Sequence, residues 1–200
     1  MSKCRGTLGI FLFLCMLLSG WVCSYAQKPI SGKKAVFLIA AKDFQDDEFS
    51  QPLEVLKGKG VAVTVASTTL SEATGMNGAK VTPNALLKDI KADDFDAVVF
   101  IGGSGAMQYL DDPLAHKLAQ EAVAKNKIVG AICIAPLILA NAGVLSGKNA
   151  TCYPTEGEKL KGSGVNYSAK PVEVEGNIIT ADGPKSAKDF GEELAKALSR

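Results

Sequence analysis

Short apolar runs alternate with amphipathic stretches along most of the chain. Runs of this kind, rich in Val, Ile, Ala and Phe, predict buried strands at 33–41, 61–67, 96–103 and 128–133. Apolar residues at helical spacing predict helices at 49–60, 113–127 and 135–142. Strands and helices that alternate over such short connections favour a parallel sheet covered by helices.

The remaining segments are shorter or more polar. We expect a hairpin within 67–82, a short helix at 84–90 and a strand at 149–153. A strand pair with a turn at 175–177 is predicted over 171–181, and a helix over 186–198. The last helix opens with Ser186 and Asp189 at the spacing of a capping box. The fold predicted for 27–200 is therefore a single-domain, doubly wound α/β protein, with a mostly parallel sheet sandwiched by helices.

The first 26 residues do not fit this pattern. Lys3 and Arg5 precede an apolar stretch that ends in small residues at Ala26, which is the arrangement of a secretion signal peptide. The apolar stretch is short for a membrane span, which needs about 20 residues. We predict cleavage after Ala26 and export to the periplasm or the medium; an uncleaved anchor is the alternative.

Charge and cysteine usage narrow the classes of partner. The chain has 22 Lys and Arg against 21 Asp and Glu, without a polybasic run. Nucleic acid and, after leader cleavage, membranes are therefore not expected as partners. Only Cys133 and Cys152 lie outside the leader, and no Cys-x-x-Cys or His-x-x-x-His spacing suggests a metal. We expect no metal and no cofactor.

The clearest candidate for chemistry is Cys133, which ends a predicted strand directly before Ala135 and Pro136 open a helix. A strand, a sharp turn and a helix form a nucleophile elbow, which presents a reactive atom at the edge of a sheet. The dipole of the following helix is expected to lower the thiol pKa. The alternative is a small buried hydrophobe, which is the usual role of a free cysteine.

Two other segments should reach the same edge of the sheet. Gly102 and Gly103 follow a predicted strand, and backbone N–H groups of Gly103 and Ile134 are placed to bind an oxyanion. A plain tight turn is the alternative for the glycines. Glu48 lies at the margin of an apolar helix face, where burial raises a carboxyl pKa; the alternative is an acid that only complements the helix dipole. The single histidine, His116, is predicted to be a solvated bystander.

Four motifs together resemble the ThiJ/PfpI family, the parkinsonism-associated deglycase-like branch of the class I glutamine amidotransferase-like superfamily. They are Glu48-x-x-x-Pro52, "FDAVVFIGGSGA", "GAICIAP" and "LSGKNATCYP". The resemblance implies a flavodoxin-like fold and a homodimer. It also implies that Cys133 is the reactive cysteine, that Glu48 is its acid partner, and that the amides of Gly103 and Ile134 line the site.

Three positions depart from the patterns within that family. Ile134 stands where the protease-like branches have a histidine, so peptidase activity is not expected. Tyr153 stands where another branch has a histidine, and tyrosine is a poor base near neutral pH. Tyr153 and Gly102 are instead expected to contact the substrate. Asp182 stands where an arginine is frequent, which removes a partner for an anionic substrate.

Two functions follow from the resemblance. In the first, the Cys133 thiolate attacks a small reactive carbonyl such as methylglyoxal and Glu48 shuttles the proton, as in a glyoxalase or deglycase. In the second, Cys133 is oxidised to sulfinic acid by peroxide, and the protein is a stress sensor or holdase-like chaperone. Cys152 is predicted to be a buried structural thiol; a disulfide between Cys152 and Cys133 is the alternative.

Overall fold

The computed structural model describes residues 30–200, so the predicted leader lies outside the described residues. Twelve strands are present in this part of the chain: β1 (Lys34–Leu38), β2 (Lys42–Phe44), β3 (Ala62–Ser67), β4 (Ala73–Gly75), β5 (Lys80–Val81), β6 (Ala85–Leu86), β7 (Ala97–Phe100), β8 (Ile128–Ile132), β9 (Asn149–Ala150), β10 (Asn166–Tyr167), β11 (Val172–Glu175) and β12 (Ile178–Ala181). Five α-helices accompany them: α1 (Asp46–Gly58), α2 (Pro113–Ala124), α3 (Pro136–Asn141), α4 (Gly157–Gly162) and α5 (Ala187–Leu198).

Seven strands form the central sheet in the order β11-β12-β8-β7-β1-β3-β6. All neighbours are parallel except the edge pair, β11 and β12. Strand order departs from chain order at β1, which is the topological switch of a doubly wound sheet. The predicted fold class is confirmed. Two small sheets, β2-β4-β5 and β9-β10, lie outside the central one.

Helices cover both faces of the central sheet. Helices α1 and α5 pack against each other, while α2 contacts α3, β7 and β8. Strands covered on both sides read as continuous apolar runs, and β7 and β8 are buried at every residue. Phe37, Phe100 and Ile132 are among the largest fully buried side chains, each contributing about 1.5–3 kcal/mol through burial. In the described region, no helix combines the length and the apolar character needed to cross a bilayer.

Two predicted elements are different in the structure. Residues 84–90 form the short strand β6 and one turn of 3-10 helix instead of an α-helix. The Asn84 side chain accepts a hydrogen bond from the Val65 backbone N–H at 2.8 Å, and β6 pairs with the end of β3. Pairing at the sheet edge outweighs local helix propensity here. The strand predicted at 149–153 stops at Ala150, and the next N–H group, that of Thr151, donates to the Thr180 hydroxyl.

Two predictions about helix ends are wrong. The Ser186 hydroxyl does not cap α5; it donates to the Asp182 carboxylate at 2.6 Å, so there is no capping box. The helical spacing of Leu114, Leu118 and Ala122 predicts one buried face for α2, but Leu114 is 44% exposed in the first turn of that helix. Leu118 and Ala122 on the same predicted face are buried.

A small sheet braces the start of α1. Strand β2 pairs with β4, and β4 and β5 form the predicted hairpin. Both carboxylate oxygens of Asp46, the first residue of α1, accept backbone N–H groups of this hairpin, from Asn77 and Ala79, each at 2.8 Å. An acid at the start of a helix is expected to complement the helix dipole. In this structure, Asp46 also joins the hairpin to the helix that carries Glu48.

We predict that Asp46→Ala lowers the free energy of unfolding by about 1–3 kcal/mol, because two N–H groups of the hairpin lose a charged acceptor. Hydrogen exchange should accelerate at Asn77 and Ala79. Asp47→Ala is the matched control, since Asp47 is exposed in the same helical turn; it should lose only the dipole interaction, about 0.5 kcal/mol. Equal destabilisation by the two substitutions would contradict the assigned role of Asp46.

Candidate active site

Three distant segments meet at one edge of the central sheet. Strands β1, β7 and β8 are adjacent and parallel, so their carboxyl ends lie together. The start of α1 follows β1 through β2, Gly102 follows β7 and Cys133 follows β8. Parallel α/β sheets bind ligands at this edge, next to the topological switch. The two candidate chemical groups, the Glu48 carboxyl and the Cys133 thiol, face each other there.

The backbone at Cys133 is held in an uncommon conformation. Its φ is +66°, in the left-handed region that residues other than glycine rarely adopt. Two hydrogen bonds fix it there: the Cys133 N–H donates to the Ala181 carbonyl at 2.9 Å, and the Cys133 carbonyl accepts from the Tyr153 N–H at 2.7 Å. A left-handed residue between a strand and a helix is the geometry of a nucleophile elbow, and the surrounding bonds offset its strain.

Glycine is required at position 102 for steric reasons. A Cβ atom there would lie 2.5 Å from the Cβ of Cys133, 2.7 Å from the Ile132 carbonyl oxygen, and against the Glu48 carboxylate. Gly102 therefore lies beneath the acid and the thiol instead of on the wall of a binding cleft. Gly103 has a φ of +95° and packs against the backbone of Asp43 and Gln45. Both glycines bring backbone N–H groups close to the reacting atoms.

Glu48 is fully buried, at 0% exposure. Neither of its carboxyl oxygens has a hydrogen-bond partner of normal geometry among the described residues. Burial raises the pKa of Glu48 from 4.5 to about 7, because the charged form loses its hydration. The Cys133 thiol and the Gly102 N–H lower it by a smaller amount, while Asp47 and Asp182 raise it. A carboxyl with this pKa both accepts and donates a proton near neutral pH.

The Cys133 thiol is 7% exposed and lies beside Glu48. Burial and the negative charge of Glu48 raise the pKa of Cys133 to about 12, against a smaller opposite effect from the backbone amides of Gly103 and Ile134. The lowered thiol pKa expected from the sequence is therefore wrong. Helix α3 is only six residues long, and the adjacent acid outweighs its dipole. The pair consequently holds at most one negative charge around neutral pH.

A cleft of about 520 Å³ opens beside this pair. Tyr153 lies on its wall and is 41% exposed. A Cβ added to Gly183 would lie 3.4 Å from the Tyr153 ring and 3.9 Å from a Glu48 oxygen, so the cleft adjoins the acid. Half-buried Asp182 also lines it, with one oxygen occupied by Ser186. The lining residues are Tyr153, Pro154, Thr155, Asp182, Gly183, Pro184 and Lys185.

His116 and Cys152 take no part in the pair. His116 is half-buried instead of solvated, and its Nε2 donates to the Leu110 carbonyl at 2.7 Å. Cys152 is fully buried and Cys133 is not bonded to it, so both are free thiols. In residues 30–200, no three side chains of His, Cys, Asp or Glu come together as a metal site requires.

Sequence reasoning missed one residue of the site, Gln45. It caps α1: its side-chain oxygen accepts the Glu48 backbone N–H at 2.8 Å. Glutamine is not among the preferred capping residues, so the signal was weak. The sequence identifies Asp182 only as a departure from the family pattern. Its effect on the pKa of Glu48 depends on the distance between the two side chains in space.

The elbow cysteine and the flavodoxin-like sheet together define the class: this is an α/β protein of the class I glutamine amidotransferase-like superfamily. Within that class, the sequence pattern of the DJ-1/PfpI family matches residues 33–197. The chain belongs to the DJ-1/PfpI family. The family resemblance found in the four motifs is confirmed.

Relatives support this placement over the whole described domain. The chain is 41% identical over 177 residues to an uncharacterized protein of Methanocaldococcus jannaschii, covering 87% of this chain and 86% of the relative. It is 31% identical to a deglycase of Pyrococcus abyssi (82% and 98% covered) and 28% identical to a glutathione-independent glyoxalase of Caenorhabditis elegans (83% and 89%). The crystal structure of a ThiJ/PfpI domain protein from Brachyspira murdochii superposes with a TM-score of 0.81 at 32% identity, covering 84% of this chain and 98% of that one.

We predict that Glu48 makes the protein less stable at high pH than at low pH. Its raised pKa means that the folded protein keeps this proton between pH 4.5 and about 7, while the unfolded chain releases it. Each pKa unit corresponds to about 1.4 kcal/mol, so from pH 4 to pH 8 wild type should lose about 3 kcal/mol of unfolding free energy relative to Glu48→Gln.

Denaturant unfolding of both proteins at pH 4 and pH 8 measures this difference. Glu54→Gln is the matched control, because Glu54 is exposed on the same helix; its stability should follow wild type at both pH values. If the Glu48→Gln and wild-type stabilities change in parallel with pH, the carboxyl is not destabilised by burial.

Proposed function

We propose that this protein is a cofactor-independent enzyme that converts small reactive carbonyls, with 2-oxoaldehydes such as methylglyoxal as the substrate class. The observation that carries the proposal is the buried pair of Glu48 and Cys133, in which a carboxyl with a pKa of about 7 faces a thiol. The relatives named as a glyoxalase and a deglycase support it. No cofactor is required by the steps below.

The first step is addition of the thiol to the aldehyde. The Glu48 carboxylate takes the proton from the Cys133 sulfur as the sulfur attacks the carbonyl carbon. The electron pair of the C=O bond moves to oxygen, where the N–H groups of Gly103 and Ile134 stabilise the charge. Glu48 then returns the proton to this oxygen, giving a hemithioacetal. The raised pKa of Cys133 makes free thiolate scarce at neutral pH. Glu48 therefore removes the thiol proton during the attack.

The second step moves hydrogen between the two carbons. Glu48 removes the C–H proton of the hemithioacetal carbon, and the electron pair of the adjacent C=O bond moves to oxygen, which gives an enediolate. The hydroxyl proton of the hemithioacetal passes to that oxygen, and Glu48 returns its proton to the former carbonyl carbon, which leaves a thioester of a 2-hydroxy acid. Water then hydrolyses the thioester and restores the thiol. Methylglyoxal and one water thus give lactic acid without an external oxidant or reductant. One carboxyl that alternates between base and acid near pH 7 serves each proton transfer.

The cleft fits an uncharged carbonyl better than a peptide. Ile134 follows the nucleophile and Tyr153 lines the cleft, so neither position supplies a histidine as a base for amide cleavage. His116 is bonded to the Leu110 carbonyl. Asp182 adds negative charge beside Glu48, which disfavours substrates with a carboxylate. Export and homodimer formation stay predictions from the sequence, and the proposed chemistry depends on neither.

A second function is favoured by one observation. Both carboxyl oxygens of Glu48 are buried without a full hydrogen bond, so a protonated Glu48 has a free O–H to donate to an oxygen on the Cys133 sulfur. Peroxide oxidises a thiol to sulfenic acid and releases water, and a second peroxide gives sulfinic acid and another water. The protein would then act as a peroxide sensor or a holdase-like chaperone.

We predict that leader-free protein converts methylglyoxal to lactate, and that Cys133→Ser and Glu48→Gln each lower kcat by about 100-fold or more. Activity should rise with pH through about 7, because the base form of Glu48 is required. Lactate formation, followed over pH 5–9, measures both effects. His116→Ala is the control and should retain wild-type kcat.

Three results would count against the enzymatic proposal. They are absence of lactate from the wild type, activity that survives Cys133→Ser, and a kcat that does not change between pH 5 and pH 9. Absence of lactate from the wild type, together with oxidation of Cys133 by peroxide, would favour the sensor function.

For the sensor, we predict that peroxide adds two oxygen atoms at Cys133 and none at Cys152, because Cys152 lies away from the acid and is fully buried. Peptide mass spectrometry after graded peroxide treatment measures this. Glu48→Gln should leave less sulfinic acid and more over-oxidised cysteine, since the carboxyl no longer donates to the product. Equal oxidation of the two cysteines would exclude a site-specific sensor.

A further inference from the structure

Gln45, the residue directly before α1, is hydrogen-bonded to two of the segments that form the proposed site. The side-chain oxygen of Gln45 accepts the backbone N–H of Glu48 at 2.8 Å. The backbone N–H of Gln45 donates to the Gly102 carbonyl at 3.1 Å. Gln45 is half-buried, and its backbone extends away from the helix axis as an N-cap residue requires.

The main-chain bond joins the helix start to the glycine turn. A Cβ atom on Gly102 would meet both the Glu48 carboxyl and the Cys133 Cβ, and a Cβ atom on Gly103 would meet the Gln45 nitrogen. A shift of Gln45 would therefore move the acid relative to both amides that face the sulfur. Without the Gln45 side chain, the backbone N–H of Glu48 would have no acceptor, because N–H groups in the first turn of a helix lack intrahelical partners.

The Gln45 cap also opposes the tendency of the Glu48 carboxyl to turn toward solvent. A buried carboxyl without a full hydrogen bond gains free energy by turning toward water. Glu48 lies in the first turn of α1, the part of a helix that frays most easily. The bond from the Gln45 side chain fixes that turn and so keeps the carboxyl against the thiol.

We propose that Gln45 is a positioning residue, whose side chain holds the acid in contact with the Cys133 sulfur. It touches neither the sulfur nor the cleft and acts through the backbone of Glu48. Its catalytic consequence rests on the proposed function, but its effect on the acid–thiol pair does not. That pair can be followed by alkylation of Cys133, which needs no carbonyl substrate.

The test is the rate of iodoacetamide alkylation at Cys133 as a function of pH, with the labelled position identified by peptide mass. Wild type should show an inflection near pH 7, where Glu48 ionises. Gln45→Met keeps the side-chain length and removes the acceptor. The first turn then loosens, Glu48 is hydrated, and the inflection should move down by about one pH unit.

Two further variants separate positioning from general loss of stability. Asp112 is the N-cap of α2 and accepts the N–H groups of Leu114 and Ala115. Asp112→Ala therefore removes a comparable cap, should lower Tm, and should leave the inflection at the wild-type pH. Gln45→Glu keeps an acceptor and adds a negative charge, so its inflection should not move down.

The proposal is overturned if Gln45→Met, or Gln45→Ala as a second variant, alkylates with the wild-type inflection. It is also overturned if Asp112→Ala shifts the inflection as far as Gln45→Met, or if wild type shows no inflection between pH 5 and pH 9. If the inflection moves as expected while methylglyoxal is not converted, the positioning role stands and the enzymatic function fails.

Discussion

The site depends on one constraint: a carboxyl group is kept out of water beside a thiol. Glu48 is completely buried and lacks a full hydrogen bond, which is an unfavourable state for an acid unless it keeps its proton. The surrounding backbone is built to maintain this contact. Gly102 leaves the space between the two groups, and the left-handed turn at Cys133 aims the sulfur into it.

Burial also determines which chemistry the pair can perform. Two buried acids in contact do not both ionise, so Glu48 and Cys133 share a single negative charge around neutral pH. In a thiol–histidine pair, by contrast, the two charges are opposite and stabilise each other. In the proposed reaction, a general base of nearly neutral pKa therefore takes the place of a preformed thiolate. The predicted loss of unfolding free energy at high pH is a destabilisation of the kind that functional sites retain.

Differences around the pair distinguish this chain within its family. Ile134 and Tyr153 leave the thiol without an adjacent histidine, and Asp182 adds negative charge beside Glu48. Ile134 and Tyr153 provide no base for amide hydrolysis, and Asp182 makes the cleft less suited to anions. They leave the acid, the thiol and the two backbone amides intact, which is the part of the site that addition to a carbonyl requires.

The sequence by itself determined the α/β order of elements, the elbow at Cys133 and the glycine turn, because these depend on local patterns of apolar residues and on short motifs. Only the tertiary structure decided the ionisation of the site, the Asp46 bonds to the hairpin, the Gln45 cap and the strand at 85–86. The lowered thiol pKa expected from the helix dipole was wrong for the same reason. Burial and contact between residues 85 positions apart along the chain set the charge of a group, and neither is a property of any local stretch of sequence.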